Sequence, residues 1–245
     1  MFSSPSSFGC LAVLSLLCQA VDASPAQSPF HIDQAPQYDD DDGASAGWLD
    51  PRPGGGRMLD YTTRTRGEPL NVIISGTSDP FVLNDEGFTV YVSSLGYSKE
   101  CMGMHMGRLH LANLGDGDGR KPEELLFRQN YRVPGWGTCW ESFVGGQHFR
   151  AWRQNGTEAN SGAWFLAASK EEDSRRHHTI VANGYNLGRD WLVEQALAGS
   201  ELWWRAEVEW RWGLLEPGRK GVNHNIAQDG RVAVLTVFRV QSDLD

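Results

Sequence analysis

The chain has 245 residues, a formal net charge of −9, and 40% hydrophobic and 22% charged residues. Its acidic balance argues against a nucleic-acid-binding protein, because affinity for a phosphate backbone comes from clustered Lys and Arg. We therefore expect no nucleic-acid partner. The length is sufficient for one domain with a sizeable core.

Residues 1–23 have the pattern of a secretory signal peptide. A short apolar run at residues 11–17 is followed by small residues that suit a signal peptidase, which places the cut before Ser24. The run is too short to span a bilayer, and a buried N-terminal helix is the alternative. We expect a secreted, extracellular protein with no membrane partner after the signal is removed.

Export determines how the cysteines are interpreted. Cys10 and Cys18 leave with the signal, so Cys101 and Cys139 remain as a pair in an oxidising route. We predict that this pair is a disulfide, with two buried thiols as the alternative. Asn155 begins an Asn-Gly-Thr sequon, which predicts an exposed, N-glycosylated turn.

Residues 24–67 are rich in Pro, Gly, Ser, Asp and Arg, with few large apolar side chains. Such a composition buries too little surface to offset the entropy lost on ordering. We interpret this stretch as a disordered arm or a pro-segment. The acidic run at residues 39–42 is interpreted as solvated, with a cation-binding tail as the alternative. Residues 68–245 are predicted to form a single domain.

The domain is predicted to begin with a short buried strand at residues 70–75. The Ser-Asp-Pro sequence at residues 78–80 is typical of a helix start, and the helix should end near Leu95. Gly87 within it leaves open a later start at Asp85, because glycine disfavours a helix interior.

The central part of the domain alternates between strands and turns. A strand is predicted at residues 97–102, and residues 148–152 and 164–168 are predicted to form a hairpin around Asn-Gly and Ser-Gly turns. Residues 177–181 are predicted to be another short strand. A helix over residues 187–198 should follow an Asn cap and end at a glycine.

The final part of the chain has the clearest strand signal. Residues 204–212 alternate between aromatic or aliphatic side chains and charged ones. The last strand, at residues 231–240, is apolar on both faces near its middle and is therefore predicted to be interior. The fold class is α+β: one domain with a mixed or mostly antiparallel sheet and two main helices.

A polar site is predicted from side chains that share one strand face. A histidine that titrates near neutrality, a fixed cation and an aromatic wall lie two residues apart in the 148–152 strand. A second His and Arg precede a helix start, where backbone amides favour anions. Such a site could bind a phosphate or a carboxylate. The candidate ligand-binding residues are His148, Arg150, Trp152, His178, Arg189 and Asp190.

Two alternatives for this cluster stay open. One is a structural ion-pair network, in which Asp173 and Asp190 pair with the arginines. The other is a metal site built from His148, His178 and an acid, but the sequence has no spacing typical of metal sites, so no metal is predicted. The acidic loop at residues 115–119 does not fit an EF-hand and is interpreted as a tight turn.

Ten tryptophans give a further candidate surface. Exposed Trp rings can stack on sugars, and Trp204, Trp210 and Trp212 share one face of their predicted strand. Packing against the core is the favoured interpretation, because the opposite face of the strand is charged.

Several segments carry a family resemblance. In chain order they are residues 71–76, 94–97, 119–120 with 125–128, 148–152, 163–164 with Asp173, 177–180, and 188–190 with 192–193. In this order they resemble LssY-like C-terminal domains, and the chain is similar to secreted proteins of filamentous fungi that carry a related domain. The resemblance covers roughly residues 68–198. It implies that the candidate polar residues belong to one design, but it supplies no catalytic residue and no cofactor.

The sequence therefore leaves three alternative functions. The leading one is a secreted protein that binds a small anionic ligand in a His/Arg pocket. The second is a hydrolase of phosphoryl or ester bonds with His148 or His178 as the acid/base, although the sequence has no nucleophile elbow, P-loop or dinucleotide fingerprint. The third is a carbohydrate or cell-wall binding module.

Overall fold

The computed structural model describes residues 46–101, 108–133, 136–199 and 203–240. All of them belong to one compact unit, Pro36–Asp245. The predicted signal peptide and the acidic run at residues 39–42 lie outside the described residues. Within the described part of the chain, no helix has the length and apolar character needed to cross a membrane.

The fold is α+β, as predicted, with one large and one small sheet. The nine described strands are β1 (Val72–Ile74), β2 (Tyr97–Ser98), β3 (Leu111–Asn113), β4 (Arg120–Pro122), β5 (Leu125–Gln129), β6 (Gly146–Arg153), β7 (Trp164–Glu171), β8 (Trp204–Arg211) and β9 (Val232–Arg239). Seven form the large sheet in the order β2-β5-β6-β7-β1-β9-β8, and β3 pairs with β4. Only β1 and β9 are parallel neighbours in the large sheet.

Three described helices accompany the sheets, where two main ones were predicted. They are α1 (Asp85–Ser94), α2 (Gly137–Val144) and α3 (Gly184–Ala198). The early start of α1 at residue 78 is wrong, because Asp79 instead accepts a hydrogen bond from the Phe81 amide in a turn. Asn84 caps the helix by accepting from Gly87.

The third helix packs closely on the sheet. It begins at Gly184, one turn before the predicted start, and is preceded by Asn183 with a φ of 61°. A side chain at Gly188 would overlap the backbone of Ser169 on β7. This glycine therefore lets the helix backbone rest directly on β7. The helix ends before Gly199, as predicted.

The two faces of the large sheet bury separate cores. One core joins sheet residues such as Phe149 to apolar side chains of α1 and α3. The other joins Trp152 and Phe165 to side chains from residues 46–60 and from the small sheet. Trp48 packs edge-on to Phe165 at 6.5 Å between ring centroids.

The prediction of a disordered arm over residues 24–67 is wrong for residues 46–67. Trp48 and Met58 are buried in the second core, and the side chain of Gln154 holds the backbone of Leu49 with two hydrogen bonds of 2.9 Å. A few apolar side chains, placed over an open sheet face, outweigh the polar composition of this stretch.

The predicted strand at residues 177–181 is also wrong. Ser174–Arg176 form a 3₁₀ turn, and the Asp173 side chain accepts from the Arg175 amide. His177 and His178 then adopt left-handed conformations with φ of 55° and 52°. The chain regains strand pairing only at a single bridge involving Ile180.

Two other predictions are confirmed. Cys101 and Cys139 form a disulfide, which joins the segment after β2 to α2. The alternation of β8 also holds: Trp204 and Ala206 are buried, and Arg205 and Glu207 are exposed. Because β8 is an edge strand, its charged outer face discourages pairing with another chain.

Candidate functional site

The predicted face of β6 divides into an apolar end and a polar end. Trp152, His148 and Arg150 project to the same side, as the alternation of a strand requires. Trp152 is fully buried in the second core and is not available to a ligand. The candidate site is therefore the polar end, around His148 and Arg150.

Arg150 is held between two buried carboxylates. Its Nη1 lies 3.0 Å from Glu68 Oε2, and its Nε lies 3.0 Å from Glu123 Oε2. Burial alone would lower the pKa of Arg150, but the facing carboxylates raise it above its ordinary value. The guanidinium charge is thus already balanced by protein groups.

His148 is 0% exposed and uses only one of its ring nitrogens. Its Nδ1 lies 3.3 Å from both Ser169 Oγ and Glu171 Oε1. Its Nε2 has no hydrogen-bonding partner among the residues that the structure describes. Burial, together with the nearby charge of Arg150, holds the pKa of His148 well below its usual value. The ring therefore has Nδ1 facing Ser169 and Glu171 and a buried Nε2 without a described partner.

A second carboxylate–histidine pair lies beside the first. His110 Nδ1 is 2.8 Å from Asp60 Oδ2, and the His110 side chain is 14% exposed. Asp60 is fixed in turn, because its Oδ1 accepts from the amides of Thr62 and Glu68 at 2.9 and 2.8 Å. Only one hydrogen can lie between these two atoms, and a metal ion bound by both would take its place.

Asp60, Glu68 and His110 form a compact group of oxygen and nitrogen donors. One ligand atom from each lies within 4.8 Å of the other two. Burial raises the pKa of Glu68 to about 7, although Arg150 opposes the shift. The group combines two carboxylates with one oriented imidazole, which is a donor set typical of divalent metals.

A neighbouring acidic group is filled by an arginine. Arg128 Nη1 lies 2.7 Å from Glu171 and 3.2 Å from Glu141, and its Nε lies 3.6 Å from Glu100. His178, 31% exposed, places Nδ1 3.7 Å from Glu171. Arg128 thus contacts all three carboxylates of this group, whereas Arg150 contacts only one member, Glu68, of the group around His110.

Four of the five described histidines lie around this cluster: His110, His148, His178 and His224. Burial lowers the pKa of His224, while the charge of Glu171 opposes that shift. Tyr185 is buried nearby and donates its hydroxyl to the carbonyl of Asn223 at 3.3 Å. The cluster as a whole contains the carboxylates Asp60, Glu68, Glu100, Glu123, Glu141 and Glu171 and the guanidinium groups of Arg128 and Arg150.

The remaining predicted residues belong to another cluster. Arg189 donates to Asp229 through Nη1 and Nη2 at 2.6 and 2.9 Å, and to Asp190 through Nε at 2.8 Å. Its Nη1 also donates to the carbonyl of Arg231. The hydrogen bonds of Arg189 and Asp190 are therefore made within this second cluster and not with His148.

The other sequence candidates are already occupied or buried. In the 115–119 loop, Lys121 Nζ lies 2.9 Å from Asp116 and 3.9 Å from Asp118. The Lys121 ammonium group thus occupies the position that a metal ion would take. The Trp204 ring is buried and parallel to Phe81 at 6.4 Å. It also lines a surface pocket with Phe81, Trp203 and Arg239.

The sequence indicated His148, Arg150 and His178 as members of the site and missed the others. His148 and Arg150 were found because they share a strand face. Asp60 and Glu68 lay in or beside the predicted arm, and His110 had no motif around it. Three residues from separate segments give no spacing pattern, so only the fold brings them together.

No family model, no curated protein and no solved structure matches this chain. The resemblance to LssY-like C-terminal domains therefore stays a prediction. The functional argument rests on the site itself.

Proposed function

We propose that the protein binds one divalent transition-metal ion, of which Zn²⁺ is the reference case, through Asp60, Glu68 and His110. The observation that carries the proposal is the convergence of one donor atom from each residue within 4.8 Å. The buried, unpartnered Nε2 of His148 supports it, because His148 shares a strand face with Arg150, which contacts Glu68.

The charge of the cluster favours a cation over the predicted anion. The anion was expected to bind Arg150, but Arg150 is already paired with Glu68 and Glu123. The six carboxylates of the cluster outnumber its two guanidinium groups. A divalent ion would reduce this excess of buried acid, whereas an anion would increase it.

The burial of the cluster favours an ion over an organic ligand. Asp60 and His148 have no exposed surface, and Glu68 is nearly fully buried. His110 is the partly exposed member of the donor group and would form the entry point. For the carbohydrate alternative, Trp210 and Trp212 are only partly buried, but the Arg231 guanidinium lies over both rings.

Metal analysis of the purified protein tests this proposal. After equilibration with ZnCl₂ and removal of free metal, we expect one zinc ion per chain by mass spectrometry. Titration calorimetry should show that His110→Ala weakens binding by about 100-fold or more, since it removes an oriented ligand. Zinc at 100 times Kd should raise the free energy of unfolding by about 2.7 kcal/mol.

His177→Ala is the matched control, because the exposed His177 side chain forms no hydrogen bond or ion pair among the described residues. It should bind zinc like the wild type. The proposal is wrong if the wild type retains no stoichiometric metal, or if His110→Ala and His177→Ala bind zinc equally well. His110 is partly exposed, so its variant is expected to fold where Asp60→Asn would disturb a turn.

We also propose that the protein is secreted after removal of residues 1–23 and that it is N-glycosylated at Asn155. The Cys101–Cys139 disulfide supports an oxidising compartment. Asn155 is exposed in the turn between β6 and β7. Expression in a eukaryotic secretory host should release protein whose mass falls on endoglycosidase treatment, and Asn155→Gln should abolish that fall. Retention in the cell would contradict the proposal.

A further inference from the structure

The second helix, α2, turns apolar side chains toward solvent. Its inner face is formed by Thr138, Cys139 and Glu141, which are buried. The exposed apolar side chains on and before the helix have exposed fractions between 36% and 61%. They are Tyr131, Val133, Trp136, Trp140, Phe143 and Val144, and we call them the aromatic face.

The spacing makes this face continuous along the helix. Trp136, Trp140, Phe143 and Val144 follow the i, i+4, i+7, i+8 pattern of a single helical stripe. On the inner side, Cys139 is bonded to Cys101, which fixes the orientation of the helix. A contiguous exposed apolar patch of this kind usually marks an interaction surface.

Basic side chains flank the aromatic face. The helix packs against the Ser174–Arg176 turn, whose two arginines are exposed. Arg176 pairs with Glu172 at 3.2 Å, whereas Arg132 and Arg175 form no ion pair among the described residues. The single acid of the helix, Glu141, points inward to Arg128. Glu172 and Asp173 are the acids next to these three arginines, so the segments beside the helix carry one more arginine than acids.

We propose that the aromatic face is a peripheral docking site for an anionic lipid surface. The Trp rings would sit at the headgroup level with Phe143 toward the acyl chains, and Arg132 and Arg175 would meet lipid phosphates. A protein interface normally mixes aromatic anchors with hydrogen-bonding side chains. The outer stripe from Trp136 to Val144 presents only the indole N–H groups of Trp136 and Trp140, and Trp rings bordered by arginines match an anionic headgroup layer.

This proposal concerns binding at a surface and not spanning. The sequence expectation of no membrane partner rested on the shortness of apolar segments, and the described helices are indeed too short to span. A helix of eight residues lying in the plane of the interface needs no spanning length. The proposal is independent of the metal site.

Vesicle binding tests it. The purified full chain is mixed with vesicles of phosphatidylcholine alone or with added phosphatidylserine, and binding is measured by co-sedimentation and by Trp emission. We expect binding that requires phosphatidylserine, weakens with salt, and shifts the emission to shorter wavelength. Trp140→Gln combined with Phe143→Ser should reduce affinity at least tenfold, and Arg132→Glu combined with Arg175→Glu should do the same.

Trp203→Gln is the matched control, because Trp203 is 66% exposed but lies at the start of β8, away from the aromatic face. It should bind vesicles like the wild type. If circular dichroism shows that the double variant is misfolded, Phe143→Ser alone replaces it, because Phe143 is one of the most exposed positions of the aromatic face. The proposal is overturned if the wild type binds no vesicle, or if the control loses as much affinity as the aromatic variant. Concentration-dependent dimers that the aromatic variant abolishes would also overturn it and would assign the face to self-association.

Discussion

Arg150 and Arg189 are both buried arginines between two carboxylates, yet their surroundings differ. Arg189 uses all three guanidinium nitrogens, on Asp229, Asp190 and a backbone carbonyl, and also lies over the Trp210 ring. Arg150 pairs with Glu68 and Glu123, but the adjacent His148 keeps Nε2 without a described partner. A cluster whose polar groups are all paired stabilises the fold. A cluster that keeps a buried polar atom without a partner can bind a ligand there.

Electrostatics gives the same contrast. Burial would raise the pKa of Asp229, but hydrogen bonds from Arg189 lower it to about 2. Burial raises the pKa of Glu68 to about 7, and Arg150 fails to reverse it because Asp60 and Glu171 add negative charge nearby. One arginine is enough to lower the pKa of a partly exposed acid, but it does not lower the pKa of an acid within a buried acidic cluster.

The largest expected effect is on the saturated cluster. Arg189→Met should lower the free energy of unfolding by about 4 kcal/mol, because Asp229 and Asp190 would lose their buried partner. Chemical denaturation monitored by circular dichroism measures it. Zinc binding, referred to the folded fraction, should be unchanged, since Arg189 does not contact the metal group.

Arg205→Met is the comparison for that variant. Arg205 forms an exposed pair with Glu207 at 3.4 Å, so its loss should change stability by less than about 0.5 kcal/mol. Equal stability of Arg189→Met and Arg205→Met would show that the cluster of Arg189, Asp190 and Asp229 does not stabilise the fold. The contrast drawn between Arg150 and Arg189 would then be wrong.

The fold was predictable where side chains alternate. The β6–β7 hairpin and β8 follow from period-2 patterns that burial of one face requires. Residues 46–67 were missed because composition averages over a stretch, while Trp48 and Met58 act as individual anchors. The α2 helix was missed because its apolar stripe faces solvent, so nothing in the pattern connects it to the core.

The candidate site was predictable only in part, for a geometrical reason. His148 and Arg150 are neighbours on one strand, so their shared face is readable from spacing. Asp60 and His110 meet across a contact between distant segments, and no local pattern records it. Arg189 was grouped with His148 because it lies near a predicted helix start, but its side chain pairs with Asp190 and Asp229 instead.

The smaller expected effect concerns the pH dependence of the unsaturated cluster. Burial raises the pKa of Glu141 to about 7, with the charges of Glu171 and Glu100 adding to the shift and Arg128 opposing it. Tyr131 lies near Glu141, and burial raises its pKa as well. In the unfolded chain the Glu141 carboxyl titrates near 4.5. Between these values the folded protein holds a proton that the unfolded chain has released.

The sign of the dependence follows from this difference. Stability is highest at and below the unfolded pKa of Glu141 and falls as pH rises toward 7, because ionised Glu141 is penalised only in the folded state. The fall attributable to Glu141 is at most about 3 kcal/mol. Glu141→Gln imitates the protonated acid and should remove that part, which urea denaturation at pH 5 and pH 8 in a chelator would measure.

Glu68 has a shift in the same direction, so Glu141→Gln should leave a residual slope and not a flat profile. Asp229→Asn supplies the opposite case, because the pKa of Asp229 is lowered and its contribution is lost only as pH falls toward 2. It should not alter the difference between pH 5 and pH 8. If Glu141→Gln and Asp229→Asn had the same pH profile between 5 and 8, the buried acids beside Arg128 and Arg150 would be as fully compensated as those beside Arg189.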